Sequence, residues 1–391
     1  MPLSILHFSD LHLDTSFSES RLPPEIGRRC RESLRNTFVE LFKIARERNA
    51  DAVTIAGDLF ENERVQPETL KFLAEHFSRL APTPIFIAPG LRDHAGPHSA
   101  YRMQRWPPNV HVFLNNTLSE RSFSSEYELW GAARLRDNDQ ENVLEGFVAS
   151  GSGKIPILLL HAQVAPPARE ESDQPPASRG DMLTLDGIVH SGFSAALIGR
   201  QHQRFTFANS KCTIVCPGSP QPLGFDDVGE HGAVWIVLSP GNEALVEWLP
   251  LKSESSKGLD FKTIDLSVDR EKSAASLIDT LTQALRYQSL RDSFVRIRLI
   301  GSASPAINID AKTLGAQIEH HCAYLQIENH IPPSAFQLES ITRFGNEPTV
   351  RGAFVREMIA QRSAENASQK LHQEALLYGI QAFEQENIVL R

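Results

Sequence analysis

Short apolar runs alternate with amphipathic stretches over the first 250 residues of the chain. Leu3 to Phe8, Ala52 to Ala56, Pro84 to Ala88, Ile155 to Leu160 and Ala195 to Ile198 each end beside a charged residue, a His or a Gly. Runs of four to six apolar residues bounded in this way predict buried parallel strands. Between them, Glu25 to Arg48 brings Ile26, Leu34, Phe38, Leu41, Phe42 and Ala45 near one helical face, with Arg and Glu opposite. A second helix is expected from Pro67 to Leu80, opening on a Pro whose missing N–H costs nothing in the first turn. From Phe205 to Pro250 the period falls to two, predicting strands at Phe205 to Phe207, Thr213 to Cys216 and Ala233 to Leu238. These are expected to close a layered sandwich. Ala165 to Asp181, rich in Pro, Glu, Ser and Arg, reads as a loop, either a lid over the site or simple disorder.

Lys252 to Gly258 has linker chemistry and marks a boundary. Beyond it the pattern predicts strand (Phe261 to Leu266), helix (Ser273 to Tyr287), strand (Phe294 to Ile300), helix (Ala311 to His321) and strand (Tyr324 to Glu328), a small α+β module. Thr349 to Arg391 reads as helical, with Phe354, Met358 and Ile359, then Leu371, Ala375, Leu376, Ile380 and Phe383, at amphipathic spacing. A length of 391 residues exceeds what one core serves. The expected division is 1–250, 251–340 and 341–391.

Composition narrows the class. With 41% hydrophobic and 22% charged residues and no long uncharged apolar run, the chain reads as a globular protein without a membrane span. The N-terminus lacks the basic start and cleavage site of a signal peptide, so cytoplasmic residence is expected. The four cysteines follow no disulfide framework; Cys212 and Cys216, on one strand face, stand roughly 13 Å apart by strand rise. A net charge of −9 excludes a globally basic nucleic-acid binder and leaves only a local groove for DNA.

The chemistry is carried by five residues in order: Asp10 and His12 in Ser-Asp-Leu-His, Asp58 in Gly-Asp-Leu-Phe, His161 in Leu-Leu-His-Ala and His202 in Gly-Arg-Gln-His. Phosphodiester cleavage needs a nucleophile and charge at the transition state, and two divalent ions held by converging carboxylates and imidazoles supply both. Each fragment alone is weak, but their joint order, each just after an apolar run, is specific. It resembles the calcineurin-like metallophosphoesterases, whose pattern is Asp-x-His, Gly-Asp, Gly-Asn-His-Asp, His and Gly-His-x-His.

The flanks narrow the likeness. His7 to Asp14, Cys216-Pro217-Gly218-Ser219-Pro220-Gln221-Pro222-Leu223, Gly229-Glu230-His231-Gly232 and Thr349 to Arg356 resemble the DNA repair exonuclease branch typified by SbcD and YhaO, over most of the chain. The resemblance implies a four-layer α/β sandwich, two mixed β-sheets flanked by helices, with a smaller α+β capping domain facing DNA and C-terminal helices that dock an SMC-like coiled-coil ATPase. It also implies a manganese-dependent nuclease and a homodimer. Asp10, His12, Asp58 and His202 would form the first ion site, with Asp58 bridging to a second that uses His161.

The second site is degenerate. Gly-Asn-His-Asp reads Gly90-Leu91-Arg92-Asp93, and Gly-His-x-His reads Gly199-Arg200-Gln201-His202. Leu91 offers no ligand atom and Arg200 repels a cation, so one divalent ion, Mn²⁺, is expected rather than two. Arg92, with a pKa above about 12, cannot serve as the proton donor that the family's His provides. Three readings stay open. Arg92 or Arg200 clamps a phosphate oxygen, with His94 or His98 as the acid; or the protein is a pseudoenzyme kept for DNA binding or scaffolding; or it is a small-molecule phosphodiesterase. The candidate catalytic side chains are Arg92, Arg200 and His94. Asp93 is the expected ion-pair partner of Arg92, Asp14 an expected support of the site loop, and His7, His111, His190 and His231 are expected to be structural or at the surface.

Overall fold

The apolar runs become the parallel centres of two sheets. A computed structural model of the chain describes residues 2–18, 22–136, 142–149, 153–165, 182–241, 243–251, 260–288, 290–301, 310–331, 343–360, 375–376, 379–380 and 382–383. All but the first residue of the expected loop at 165–181 lies outside that set, as does Leu371. The chain divides into two compact units, Met1–Leu259 and Asp260–Arg391.

In order, the first unit runs β1 (Leu3–Phe8), α1 (Pro24–Glu47), β2 (Ala52–Ile55), α2 (Pro67–Arg79), β3 (Ile85–Ile87), α3 (Ala100–Met103), β4 (Val110–Val112), β5 (Ser119–Ser122), β6 (Tyr127–Gly131), β7 (Ile155–His161), β8 (Gln163–Val164), β9 (Met182–Leu183), α4 (Leu185–His190), β10 (Ala195–Gly199), β11 (Phe205–Ala208), β12 (Thr213–Cys216), β13 (Gly232–Leu238) and β14 (Leu245–Pro250). Among the described residues one six-stranded sheet has the order β14-β13-β1-β2-β3-β4 and the other β11-β12-β10-β7-β6-β5. β1 to β4 pair in parallel, as do β12, β10, β7 and β6, while β13 and β14 at one end of the first sheet and β11 and β5 at the two edges of the second pair antiparallel. This is the mixed, layered α/β sandwich that the resemblance implied.

The pleat sets the core. Leu3, Ile5, Ala52, Phe86, Val234 and Ile236 of the first sheet meet Tyr127, Leu129, Ile157, Leu159, Ala195 and Leu197 of the second. Each side chain so buried contributes roughly 1.5–3 kcal/mol if large and aliphatic or aromatic. On the far side of the second sheet, Leu158, Leu160, Ala196 and Ile198 pack with Ile188 of α4 and with Phe193. α1 buries Leu34, Phe38 and Leu41, and Phe38 and Phe42 meet Phe77 of α2.

In the second unit, β15 (Phe261–Ser267), α5 (Ala274–Tyr287), β16 (Phe294–Ile300), α6 (Ala311–Ile318) and β17 (Tyr324–Asn329) alternate, and the sheet β15-β16-β17 is parallel throughout, so each helix serves as a crossover. Val295, Ile297 and Leu299 pack with Leu277, Leu281, Leu285, Leu314 and Ile318. A separate cluster joins Val355, in the helix Val350–Ala360, to Leu376 and Ile380. The expected helix from Ala311 to His321 ends earlier, at Ile318, and tightens into a 3₁₀ turn over Glu319–His321. All four cysteines are free, and burial pushes the thiols of Cys30, Cys212 and Cys216 up to about 12. Among the described residues no helix is long and apolar enough to cross a membrane.

His7 ties the sheets together. It lies in β1, fully buried, with Nδ1 3.0 Å from Thr54 Oγ1 and Nε2 3.4 Å from the Ile198 carbonyl. A carbonyl only accepts, so Nε2 carries the proton and Nδ1 accepts from the Thr54 hydroxyl. Burial lowers the His7 pKa from 6.5 to about 4. The unfolded chain therefore binds this proton more readily, and the stability from neutral His7 is complete above pH 6.5 and lost as the pH falls toward 4. The expected outcome is a loss of about 3 kcal/mol between pH 7 and pH 4 that is present in the wild type and missing in His7→Gln, read as urea unfolding at the two pH values.

Candidate metal centre

The site forms where the parallel strands of both sheets end, the usual location for ligands in such sheets. Asp10 and His12 follow β1, Asp58 follows β2, Gly90 to Asp93 follow β3, His161 closes β7, and Arg200 and His202 follow β10. The loops after β1 and β2 run side by side through Asp10 N to Gly57 O (3.0 Å), His12 N to Asp58 O (2.9 Å) and Leu13 N to Leu59 O (3.0 Å). The sheets approach so closely here that a Cβ on Gly199 would stand 2.0 Å from the Ala56 carbonyl oxygen, and within the first sheet one on Gly90 would stand 2.4 Å from Asp58 Oδ1. Asp10, His12, Asp58 and Arg200 all have positive φ, strained backbone of the kind found at functional sites.

Two overlapping groups result. Asp10, His12 and His202 bring one ligand atom each within 4.8 Å of one another, and so do Asp10, Asp58 and His161, so Asp10 is common to both. Asp58 Oδ2 lies 3.8 Å from His12 Nε2 and 3.4 Å from His161 Nε2, while Asp58 Oδ1 accepts the backbone N–H of Arg92 (2.7 Å). Asp10 Oδ2 accepts the backbone N–H of Arg200 (2.8 Å). Asp10 Oδ1, His12 Nε2 and His161 Nε2 are buried without a hydrogen-bond partner. Three orphaned donors of ligand type, converging beside Asp58, fit a divalent cation, since buried polar atoms are otherwise paired.

The imidazoles are oriented through their other nitrogen. His12 Nδ1 lies 2.7 Å from Glu61 Oε1, His161 Nδ1 donates to the Ala56 carbonyl (2.8 Å), and His202 Nδ1 lies 3.3 Å from Asp227 Oδ2. Burial raises the Asp10 carboxyl above the usual range, with Asp58 adding to the shift. Burial also opposes the charge on Asp58, but His161, His12 and the Arg92 backbone N–H hold its pKa low. Against burial, the Glu61 hydrogen bond with Asp58 and Asp10 lifts His12 to about 9, and Asp227 and Asp10 raise His202.

Residues 3–190 match the family model described as calcineurin-like phosphoesterase, a span that holds Asp10, His12, Asp58 and His161. The N-terminal unit is thus similar to the calcineurin-like phosphoesterases over the part of the chain that carries these four residues. The chain is also similar to the uncharacterized metallophosphoesterase YhaO of Bacillus subtilis (strain 168), 25% identical over 307 residues, which cover 77% of this chain and 69% of that protein. Among solved structures, TT1561 of Thermus thermophilus is similar with a TM-score of 0.36 and 13% identity, over 63% of this chain and 99% of that one.

The cleft at this site has a volume of about 410 Å³, and His12, Asp58, Leu91, Arg92, His94 and Arg200 are among its lining residues. Leu91, His94 and Arg200 are half-buried in it and Arg92 is exposed; His98 does not line it. The expected Asp93–Arg92 ion pair is not formed. Asp93 is fully buried and accepts from Asp58 N (2.9 Å), Leu59 N (2.9 Å), Gly90 N (2.6 Å) and Tyr101 Oη (2.7 Å). Four inward donors claim both its oxygens, so the carboxylate braces the Asp58 loop instead of turning outward. Asp14 supports the site loop from outside, accepting Gln66 N (2.9 Å) ahead of α2. Glu61 and Asp227 were missed by the sequence reading, although an acid three residues after Asp58 was a visible signal for the first.

An incoming cation must displace the proton that His12 holds. His12 stays protonated below about pH 9, so proton competition weakens metal affinity as the pH falls. Mn²⁺ affinity measured by titration calorimetry is expected to rise about tenfold per pH unit between pH 6 and 8, with about one proton released per ion. A flat profile would contradict the charge state assigned to His12.

Proposed function

We propose that the chain binds DNA ends as a one-ion metallophosphoesterase, with Mn²⁺ as its ion, and that efficient two-ion turnover has been lost. The observation that carries the reading is the asymmetry around Asp10, which both groups share. On one side stand His12 and His202; on the other, Asp58 and His161 remain, while the positions expected to complete a second ion are Leu91 and Arg200. When bound, a divalent ion supplies Lewis-acid charge at a phosphoryl oxygen. Asp10, His12, Asp58 and His202 would hold it.

Substrate positioning and proton delivery belong to the chain's own side chains. The guanidinium of Arg92 stands at the open side of the cleft and its charge is felt at Asp58. A planar fork of this kind matches two phosphate oxygens and orients a phosphodiester without exchanging protons. Arg200 adds a second fixed positive charge to the cleft lining. Proton delivery to a leaving oxygen then falls to His94, whose Nδ1 accepts weakly from Gly96 N (3.3 Å). Loss of a positioned proton donor costs about 10²-fold or more, so turnover is weak or absent while phosphate binding persists.

DNA as the target, and an SMC-like coiled-coil ATPase docking on the C-terminal helices, follow from the resemblance to the SbcD and YhaO branch. Exposed Val350, Ile359 and Phe383 in those helices support a partner surface there. A cleft of about 410 Å³ also suits a nucleotide-sized ligand, which keeps small-molecule phosphodiester hydrolysis as the second reading.

The triple variant Leu91→Asn, Arg92→His, Arg200→His is expected to raise Mn²⁺-dependent cleavage of linear single- or double-stranded DNA about 10²-fold over wild type, and added Asp58→Ala to abolish it. A folded, metal-loaded triple variant with no gain would count against the ligand assignment. Cyclic-nucleotide hydrolysis by the wild type without DNA binding would transfer the reading to small molecules.

A further inference from the structure

Two carboxylates outside the ligand set face the imidazoles of one half of the centre only. Glu61 Oε1 approaches His12 Nδ1 at 2.7 Å, and Asp227 Oδ2 approaches His202 Nδ1 at 3.3 Å. Both contacts are made to Nδ1, and the orphaned Nε2 of His12 lies on the Asp58 side. The corresponding contact of His161 is to a neutral carbonyl, that of Ala56.

Both acids are themselves held. Glu61 N donates to the Leu13 carbonyl (3.0 Å), and the Glu61 side chain is only 18% exposed. Asp227 Oδ2 accepts from Ser219 Oγ (3.1 Å) and Leu223 N (3.1 Å), and His231 closes the same loop through Ser219 Oγ (2.9 Å) and the Asp227 carbonyl (3.2 Å). A carboxylate on the far nitrogen of a ligating imidazole fixes its tautomer, aims its lone pair and raises its basicity.

We propose that Glu61 and Asp227 are positioning residues that make the Asp10–His12–His202 half of the centre the single strong cation site of this chain. The inference rests on the one-ion reading and explains it. Negative charge is stacked behind one pair of imidazoles, whereas the half beside His161 has a neutral clamp and arginine at the position expected of a ligand histidine.

The test is Mn²⁺ binding by the full chain, followed by electron paramagnetic resonance of the free ion. Glu61→Ala and Asp227→Asn are each expected to lose about 10–100-fold in affinity. Glu61→Gln, which keeps an acceptor but not the charge, should fall between Glu61→Ala and wild type, and Glu75→Gln, an equal charge change on the exposed face of α2, should match wild type. Pulsed resonance of the ion still bound to Glu61→Ala should show weakened imidazole-nitrogen coupling. Unfolding curves recorded without Mn²⁺ establish that the variants fold, and if Asp227→Asn does not, the Glu61 series decides. Wild-type affinity in folded Glu61→Ala would overturn the clamp and leave the one-ion reading standing; a wild-type chain with no affinity for Mn²⁺ would overturn both.

Discussion

The centre depends on two buried carboxylates that each give one oxygen to a backbone N–H and keep the other for the cleft. Asp58 Oδ1 takes the N–H of Arg92, and Asp10 Oδ2 takes that of Arg200. These are the two positions where the motif has changed most, yet what the carboxylates need from them is main chain. Any non-proline residue carries that donor. The two carboxylates therefore keep their places whatever side chains stand at positions 92 and 200.

Close approach of the chain segments that end at the site makes this possible and sets its limits. Gly199 against the Ala56 carbonyl and Gly90 against Asp58 leave no space for a Cβ, and Asp93 binds three backbone N–H groups to hold the Asp58 loop in a conformation of positive φ. Burying two acids side by side is costly unless charge compensates. Here the raised pKa values of His12 and His202 show how strongly the pocket selects positive charge. A divalent ion answers the same demand.

Arginine answers it differently. A guanidinium brings a fixed charge on a flexible stem and a bidentate face for phosphate, but neither a ligand lone pair nor an exchangeable proton near neutrality. Guanidinium in place of imidazole at positions 92 and 200 would thus exchange chemistry for attraction, as the proposed function requires.

Much of this was legible from residue order alone. Asp10, His12, Asp58, His161 and His202 each follow an apolar run, and runs buried on both faces end where parallel strands end, so a common location followed from local pattern. The strand Tyr127–Gly131 escaped that reading because Glu128 interrupts its apolar run, although it is an interior strand of the second sheet. The partners of the site were equally hidden: which acid reaches which imidazole is a matter of loops meeting in space, and Glu61 lies 49 residues from His12. For the same reason Asp93 looked like the neighbour of Arg92 but turns inward to four donors. Residue type and local period were enough to find the candidate ligands, the changed motif positions and the strands that carry them; orientation, clamping and which oxygen stays open came only from the folded chain, because those depend on contacts between segments far apart.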